Sequence, residues 1–156
     1  PNRWPDLSAG RLQALHVDGR QTSWIDVVDP AAVDKPTRTQ VPDATVFTGG
    51  EGICYRAGFV YFTTKNDNKV HVLDLQHETY EGVWGGAEPL NVVDNIAGDP
   101  VLGQLFIAED GGNMEIVIID NLGNVAPFLR VEGHPDSEVA GVSWFEGLLA
   151  MCGRNR

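Results

Sequence analysis

Residues 51–84 have the sequence EGICYRAGFVYFTTKNDNKVHVLDLQHETYEGVW. Short runs rich in valine, tyrosine and phenylalanine alternate in this segment with clusters of asparagine, aspartate and glycine. The runs suit pleated, half-buried strands, and the clusters tolerate the positive φ angles of tight hairpins. The segment therefore predicts four antiparallel strands, at residues 52–56, 59–64, 69–74 and 79–84.

The same pattern continues on both sides of this segment, and helical periodicity is nearly absent. A second set of four strands is predicted at residues 93–97, 104–108, 115–119 and 124–130. Further pairs are predicted at residues 11–17 and 22–28, and at residues 139–144 and 147–152. The proline-rich segment 30–50 is expected to be a connecting loop with a helical turn near residues 31–35. Trp24, Trp84 and Trp144 occur late in strands, and we expect them in the core.

Acidic residues recur at a fixed interval along these strands. Glu51, Asp94 and Glu138 stand beside corresponding first strands, at intervals of 43 and 44 residues. Lys65 and Glu109 close corresponding second strands, 44 residues apart. A four-stranded unit that repeats every 40–50 residues or so is typical of β-propeller blades. A β-sandwich would also give many short strands, but it has no reason to keep this period.

The predicted fold is all-β, with about three blades' worth of four-stranded antiparallel sheets. The N-terminal strand pair matches the outer half of a blade, and the C-terminal pair matches the inner half. The expected organisation is a half blade at 1–29, a loop at 30–50, blades at 51–86 and 87–133, and a half blade at 134–156. Three blades do not close a ring, so we expect either additional blades or a homodimer that forms a six-bladed ring.

The composition excludes some classes of function. Aspartate and glutamate number 22 against 11 lysines and arginines, a net charge of −11, which is the opposite of what a nucleic-acid-binding protein needs. No apolar run is long enough to cross a bilayer, so no membrane partner is expected. Cys54 and Cys152 are too few for a disulfide scaffold or a cysteine-based zinc site, and we interpret them as two buried thiols.

The repeat predicts that several polar side chains share one end of the blades. In a propeller, the start of each first strand and the end of each second strand lie on the same face. The oxygen ligands expected at this "acidic end" are Glu51, Asp94, Asn95, Glu109, Asp110 and Glu138. Such ligands suit Ca²⁺ or Mg²⁺ better than zinc. Lys65 and Arg154 are expected at the same end, as groups for an anion such as phosphate. The alternative is that each carboxylate caps a turn.

Five short blocks of the sequence resemble the PhoX-type alkaline phosphatases and occur in that family's order. The blocks are residues 45–52 (TVFTGGEG), 60–65 (VYFTTK), 93–95 (VDN), 106–111 (FIAEDG) and 137–141 (SEVAG). The likeness covers most of residues 10–145. Family members are several times longer, and their earlier blades contribute metal ligands that include a cysteine. Gly49 and Gly50 also stand where the family often has arginine, and residues 145–148 (FEGL) replace a longer turn.

The resemblance implies a propeller that binds calcium and iron (Fe³⁺) and hydrolyses phosphate esters outside the cytoplasm, in a secreted or periplasmic location. It also implies catalytic roles for Glu51, Glu109 and Glu138, with Asp94 and Asn95 as further candidates. The expected substrate is a small phosphate ester or another anionic molecule. Two other functions stay open: a non-catalytic module that assembles into a ring, and a calcium-dependent lactonase-like hydrolase.

Overall fold

The computed structural model describes residues 10–85, 89–110, 114–134, 136–145 and 147–155. The described chain is all-β. Its strands are β1 (Gln13–Asp18), β2 (Gln21–Asp26), β3 (Gly50–Arg56), β4 (Phe59–Thr64), β5 (Lys69–Asp74), β6 (Thr79–Gly85), β7 (Val93–Gly98), β8 (Leu105–Glu109), β9 (Glu115–Ile119), β10 (Val125–Arg130), β11 (Ser137–Phe145) and β12 (Leu148–Asn155). Every strand predicted from the sequence is present, with ends shifted by three residues at most. The first nine residues of the predicted N-terminal half blade lie outside the described residues, as do Gly111 and Glu146 of the quoted blocks.

The chain divides into two compact units, residues 1–46 and residues 47–156. In the first unit, β1 and β2 form an antiparallel hairpin in which Asp18 is opposite Gln21. The turn uses Gly19 at a φ of 60°, where a residue with a side chain would be strained. The chain then returns beside β1, because the Thr45 amide donates to the Leu15 carbonyl at 2.8 Å.

The helical turn of this unit was predicted in the wrong place. It is a 3₁₀ turn at Thr37–Thr39 rather than a turn near residues 31–35. The Gln40 side chain explains the shift. Its amide group donates to the carbonyls of Asp29 and Lys35, and its Oε1 accepts from the Asp29 amide, each at 2.8 Å. These bonds anchor the chain on both sides of residues 30–34, and Ala32 has a φ of 54°, which excludes a right-handed helical turn there.

The described residues of the second unit form three antiparallel sheets. Strands β3 to β6 form one sheet and β7 to β10 another, and in each sheet every strand pairs with the next one along the chain. Strands β11 and β12 form a hairpin. We call these the first, second and third sheets.

The first three strands of the second sheet are largely buried on both faces. Because side chains alternate along a strand, Leu105 and Ile107 of β8 face one core, and Phe106 and Ala108 face the other. The first core also contains residues of the first sheet, including Val70, and the second contains residues of the third sheet, including Val139. The three sheets are therefore stacked in chain order.

The initial strands of adjacent sheets approach closely. A Cβ atom on Gly52 of β3 would lie 2.5 Å from the Ile96 amide nitrogen and 2.8 Å from the Asn95 Cα, both in β7. The Thr63 hydroxyl is fully buried beside this contact. It accepts from the Gly52 amide at 2.9 Å and donates to the Asp94 carbonyl. A glycine is required here because the two backbones are nearly in contact.

Two expectations about individual side chains were partly wrong. Trp84 and Trp144 pack against the two cores, as expected, but Trp24 is 44% exposed. Both cysteines are unpaired thiols, but Cys152 is exposed rather than buried. In the part of the chain that is described, no helix has the length and apolar character that crossing a bilayer requires.

Candidate functional site: the acidic end

The strand registers place the acidic end at one end of each sheet. Gly50 at the start of β3 is opposite Thr64 at the end of β4, and Val93 at the start of β7 is opposite Glu109 at the end of β8. In the third sheet, Glu138 is opposite Arg154. The start of each first strand and the end of each second strand therefore lie together.

The acidic side chains at this end differ sharply in burial. The exposed fraction is 0% for Glu109, 6% for Asp110 and 7% for Glu138. Asp94 and Asn95 are half-buried, and Glu51 is exposed. Burying a carboxylate is costly unless its charge is compensated or hydrogen-bonded. The partners of the three buried carboxylates therefore matter most.

Glu109 and Asp110 are anchored to the segment that precedes β7. Glu109 Oε1 accepts a hydrogen bond from the Asn91 amide at 2.6 Å. The Asp110 amide donates to the Val92 carbonyl at 2.9 Å. The Asn68 side chain holds the same segment, because it donates to the Leu90 carbonyl and accepts from the Val93 amide. Backbone bonds thus fix both carboxylates at the end of the second sheet.

Lys65 pairs with Asp110 and so joins the first sheet to the second. The Lys65 amide also donates to the Gly49 carbonyl at 2.7 Å, which fixes the backbone that carries the ammonium group. This pair compensates one buried negative charge. Lys65 was predicted to bind phosphate, and in that role its ammonium would be shared between the anion and Asp110.

Asn95 links the second sheet to the third, and Glu138 pairs with Arg154 within the third sheet. Asn95 Oδ1 accepts from the Val142 amide at 3.1 Å, which links β7 to β11. The guanidinium of Arg154 lies 3.7 Å from Glu138 Oε1, and its side chain is largely exposed. That separation is long, and exposed pairs contribute little to stability. Arg154 can consequently release Glu138 and bind an anionic ligand more easily than Lys65 can release Asp110.

The donor set of the acidic end fits a hard cation. Its members offer carboxylate, amide and carbonyl oxygens, which are the ligands of Ca²⁺. Within the described ranges, however, no three histidine, cysteine, aspartate or glutamate side chains are close enough to hold a metal ion together. The structure thus brings Lys65 together with Asp110 and Glu138 together with Arg154, but it does not gather the carboxylates around one point.

A cysteine ligand for iron does not fit. Cys54 lies four residues along β3 from Gly50, in the core between the first and second sheets. Burial raises the pKa of its thiol to about 11, although Arg56 nearby lowers it. A metal-binding cysteine must be a thiolate. Cys152 is exposed on β12 and opposite Gly141. Among the described residues, neither cysteine belongs to a group of three side chains that could hold a metal ion.

The sequence interpretation missed a second polar cluster, which lies on the other face of the first sheet. Thr64 donates to Asp67 Oδ1, and its hydroxyl oxygen lies 2.7 Å from His71 Nε2. His71 Nδ1 lies 2.9 Å from the Tyr80 hydroxyl. A consistent proton arrangement has Nε2 donating to Thr64 and Nδ1 accepting from Tyr80. The spacing of Thr64 and Asp67 across a turn was the available sequence signal.

Burial favours the neutral form of His71, which lies at the centre of this cluster. Desolvation lowers the pKa of His71, while Asp67 acts in the opposite direction. Burial also acts to raise the pKa of Asp67, but hydrogen bonds from Thr64 and Lys69 outweigh it and the pKa is lowered. Phe62 stacks on the His71 ring at 4.6 Å. The cluster is therefore a packed structural network of the first sheet.

Comparisons with known proteins add no relative. No protein-family model matches the sequence, and no curated protein matches it significantly. The resemblance to the PhoX-type phosphatases stays a prediction.

Proposed function

We propose that the chain forms part of a β-propeller that binds Ca²⁺ at its acidic end and hydrolyses phosphoric esters there. The observation that carries the proposal is the burial of Glu109, Asp110 and Glu138 at one end of adjacent sheets. Buried carboxylates in register are unfavourable for stability and favourable for cation binding. The stacked four-stranded sheets and the close approach of β3 to β7 support the propeller.

At the acidic end, the acidic residues would bind the cation and the basic residues would bind the phosphate group. Glu109, Glu138, Asp94 and Asn95 would supply the oxygen ligands, with Glu51 at the exposed rim. Because the structure does not gather these side chains around one point, cation binding would have to draw them together. A bound divalent cation would polarise the phosphoryl oxygens. Arg154 would orient the phosphoryl group through its fork of N–H donors, and Lys65 would contribute charge from the first sheet. No cysteine of the described chain is grouped with other potential ligands for Fe³⁺.

Calcium binding to EDTA-treated protein, measured by titration calorimetry, tests the cation site. We expect binding by the wild type and at least a tenfold loss of affinity in Glu109→Gln and Glu138→Gln. Glu132→Gln is the control, because Glu132 is exposed on the loop after β10. Equal affinity in all three variants, each folded by circular dichroism, would exclude a site at the acidic end.

The reaction is tested separately, with calcium-loaded protein and aryl phosphate mono- and diesters. We expect hydrolysis that is lost in Glu138→Gln and weakened in Arg154→Gln. Lactones are assayed in parallel. Hydrolysis of lactones alone would replace the phosphoesterase by the lactonase-like alternative, and calcium binding without either activity would favour a non-catalytic module.

Assembly is a second candidate function, favoured by the two-stranded β11–β12 sheet. Asp18 ends β1 as Asp74 ends β5, and Asp120 directly follows β9. Asp74 and Asp120 both accept hydrogen bonds from the amides of their hairpin turns. The β1–β2 hairpin therefore shares with the β5–β6 and β9–β10 hairpins an aspartate at the end of its first strand. Among the described strands, β12 is hydrogen-bonded to β11 alone.

The β11–β12 hairpin has features expected of an incomplete sheet. Phe145 and Leu148 are 66% and 69% exposed, and two-stranded sheets are marginally stable by themselves. We propose that strands of a second copy complete this sheet, which makes a ring. Light scattering tests this: we expect twice the 17.0 kDa mass of the chain. A monomeric mass at all concentrations would exclude self-assembly.

A further inference from the structure

A cavity of about 210 Å³ lies between the first and second sheets, far from the acidic end. Arg56 and Tyr61 line it from the first sheet, and Gly103, Leu105, Asp120 and Asn121 line it from the second. Arg56 is the last residue of β3, whereas Gly50 at the acidic end is the first. At about 3.3 Å per residue, the two ends of this strand are roughly 20 Å apart.

Arg56 has unused hydrogen-bonding capacity in this cavity. Its Nε atom is buried and has no hydrogen-bond partner in the described chain, and its guanidinium forms no ion pair there. The guanidinium carbon lies 5.9 Å from the centre of the Tyr61 ring, which fixes the side chain against an aromatic face. A buried N–H donor without an acceptor is rare in folded proteins, because it loses its hydrogen bond to water.

The second sheet is shaped to admit this guanidinium. Gly103 has a φ of 79°, and a Cβ atom at that position would overlap Arg56 Nη1. Gly98 also faces the side chain, since a Cβ atom there would contact Arg56 Cδ at 3.7 Å. The Asn121 amide donates to the Leu102 carbonyl at 2.6 Å, which holds the loop around Gly103 in place. The cationic group is therefore positioned by both sheets.

The carboxylate that lines the cavity, Asp120, is occupied by other hydrogen bonds. Asp120 Oδ1 accepts from the amides of Leu122 and Asn124, and Oδ2 accepts from the Asn124 side chain. These bonds, the Asn124 side chain first, lower the pKa of Asp120, so it stays ionised. It adds a negative charge to the cavity lining but forms no ion pair with Arg56.

We propose that this cavity binds a small oxyanion, a carboxylate or phosphate group, through the guanidinium of Arg56. The planar fork of arginine matches two oxygens of either group. The volume admits an ion of this size. Asp120 opposes the binding by like-charge repulsion, so millimolar affinity is expected. The site does not depend on the acidic end or on a bound cation.

The test is an NMR titration of the folded chain with inorganic phosphate and, separately, with acetate, in EDTA. The Nε–H resonance of Arg56 is observed directly. We expect it to shift in a saturable way with at least one anion. A response to phosphate alone or to acetate alone identifies the source of the oxyanion. No saturable shift with either anion would overturn the proposal.

Variants distinguish a bidentate site from simple charge attraction. Arg56→Lys keeps the charge but loses the fork, and about a tenfold weaker affinity is expected from the saturable shift of the Asn121 side-chain amide. Asp120→Asn removes the like charge and keeps an acceptor at the turn, so tighter binding is expected. Binding that occurs only in Asp120→Asn would show that Arg56 pairs with Asp120 in solution, and would overturn the proposal.

Gly103→Ala provides an independent check on the geometry. It should displace the guanidinium and abolish the response. Gly147→Ala is its matched control, since Gly147 has a φ of 82° but nothing near its Cβ position. If both variants fold and bind the anion as the wild type does, Arg56 is not held as the structure indicates, and the proposal is wrong.

Discussion

Replacing Gly52 by alanine should separate β3 from β7. The new Cβ atom would lie 2.5 Å from the Ile96 nitrogen and 2.8 Å from the Asn95 Cα, and both neighbours are backbone atoms that cannot rotate away. Reaching the 3.4 Å of ordinary contact requires a shift of about 0.9 Å. A gap of that size costs the facing side chains a quarter to a half of their dispersion energy.

The expected loss of stability is about 3 kcal/mol, at the upper end of the usual cost of overpacking. The shift also stretches the Thr63 bonds to Gly52 and Asp94, which are buried. Single domains are stable by about 5–15 kcal/mol, so the variant should fold but denature at clearly lower urea concentration.

Gly50→Ala is the matched control, because Gly50 is two residues away on the same strand and has nothing near its Cβ position. Alanine there should be neutral or stabilising by about 0.5 kcal/mol, since glycine is unfavourable within strands. The measurement is the free energy of unfolding in urea. If the two variants differ by less than about 1 kcal/mol, the close approach of β3 and β7 does not exist in solution.

Three further predictions concern charge and titration. Lys65→Met removes the ammonium group from the Asp110 carboxylate, which is 6% exposed, so the free energy of unfolding should fall by about 3 kcal/mol, and adding Asp110→Asn should restore part of it. Equal stability of the single and double variants would contradict the ion pair. The pKa of His71 is lower in the folded chain than the ordinary 6.5, so the unfolded chain binds more protons below pH 6.5, and the free energy of unfolding should fall as the pH is lowered through that value. Measured by urea unfolding, this free energy should depend less on pH in His71→Gln than in the control His134→Gln, and identical slopes would refute this. Burial raises the pKa of Cys54 to about 11 from 9.0, which leaves about a hundredfold less thiolate at pH 8. Iodoacetamide should therefore label the exposed Cys152 first, as mass spectrometry of peptides would show, and equal labelling rates would contradict the burial of Cys54.

The strands could be predicted because their signals are local. Runs such as residues 69–74 combine β-favouring side chains with flanking turn residues, and each strand matched its prediction. The helical turn could not be placed, since its position depends on three bonds from Gln40 to residues up to 11 positions away. The exposure of Trp24 was equally hidden, because an aromatic residue in a strand does not reveal which face is covered.

The candidate site was predictable in position but not in detail. The repeat interval was enough to place Glu109 and Glu138 at corresponding strand ends. It could not show that Lys65 pairs with Asp110 or that Asn95 bonds to β11, because both contacts arise from packing between sheets. The role of Gly52 was hidden for the same reason, as a glycine in a strand has many explanations.

The stacking of the three sheets has a consequence for local stability. The second sheet contacts neighbours on both faces, whereas the hairpin of β11 and β12 packs against it on one face only. In such a linear arrangement, each sheet depends on its neighbours for stability, much as repeats do in a solenoid. Amide hydrogens of β8 and β9 should accordingly exchange with solvent only on global unfolding. Those of β12 should exchange through local opening, which makes this hairpin the place where unfolding of the second unit begins.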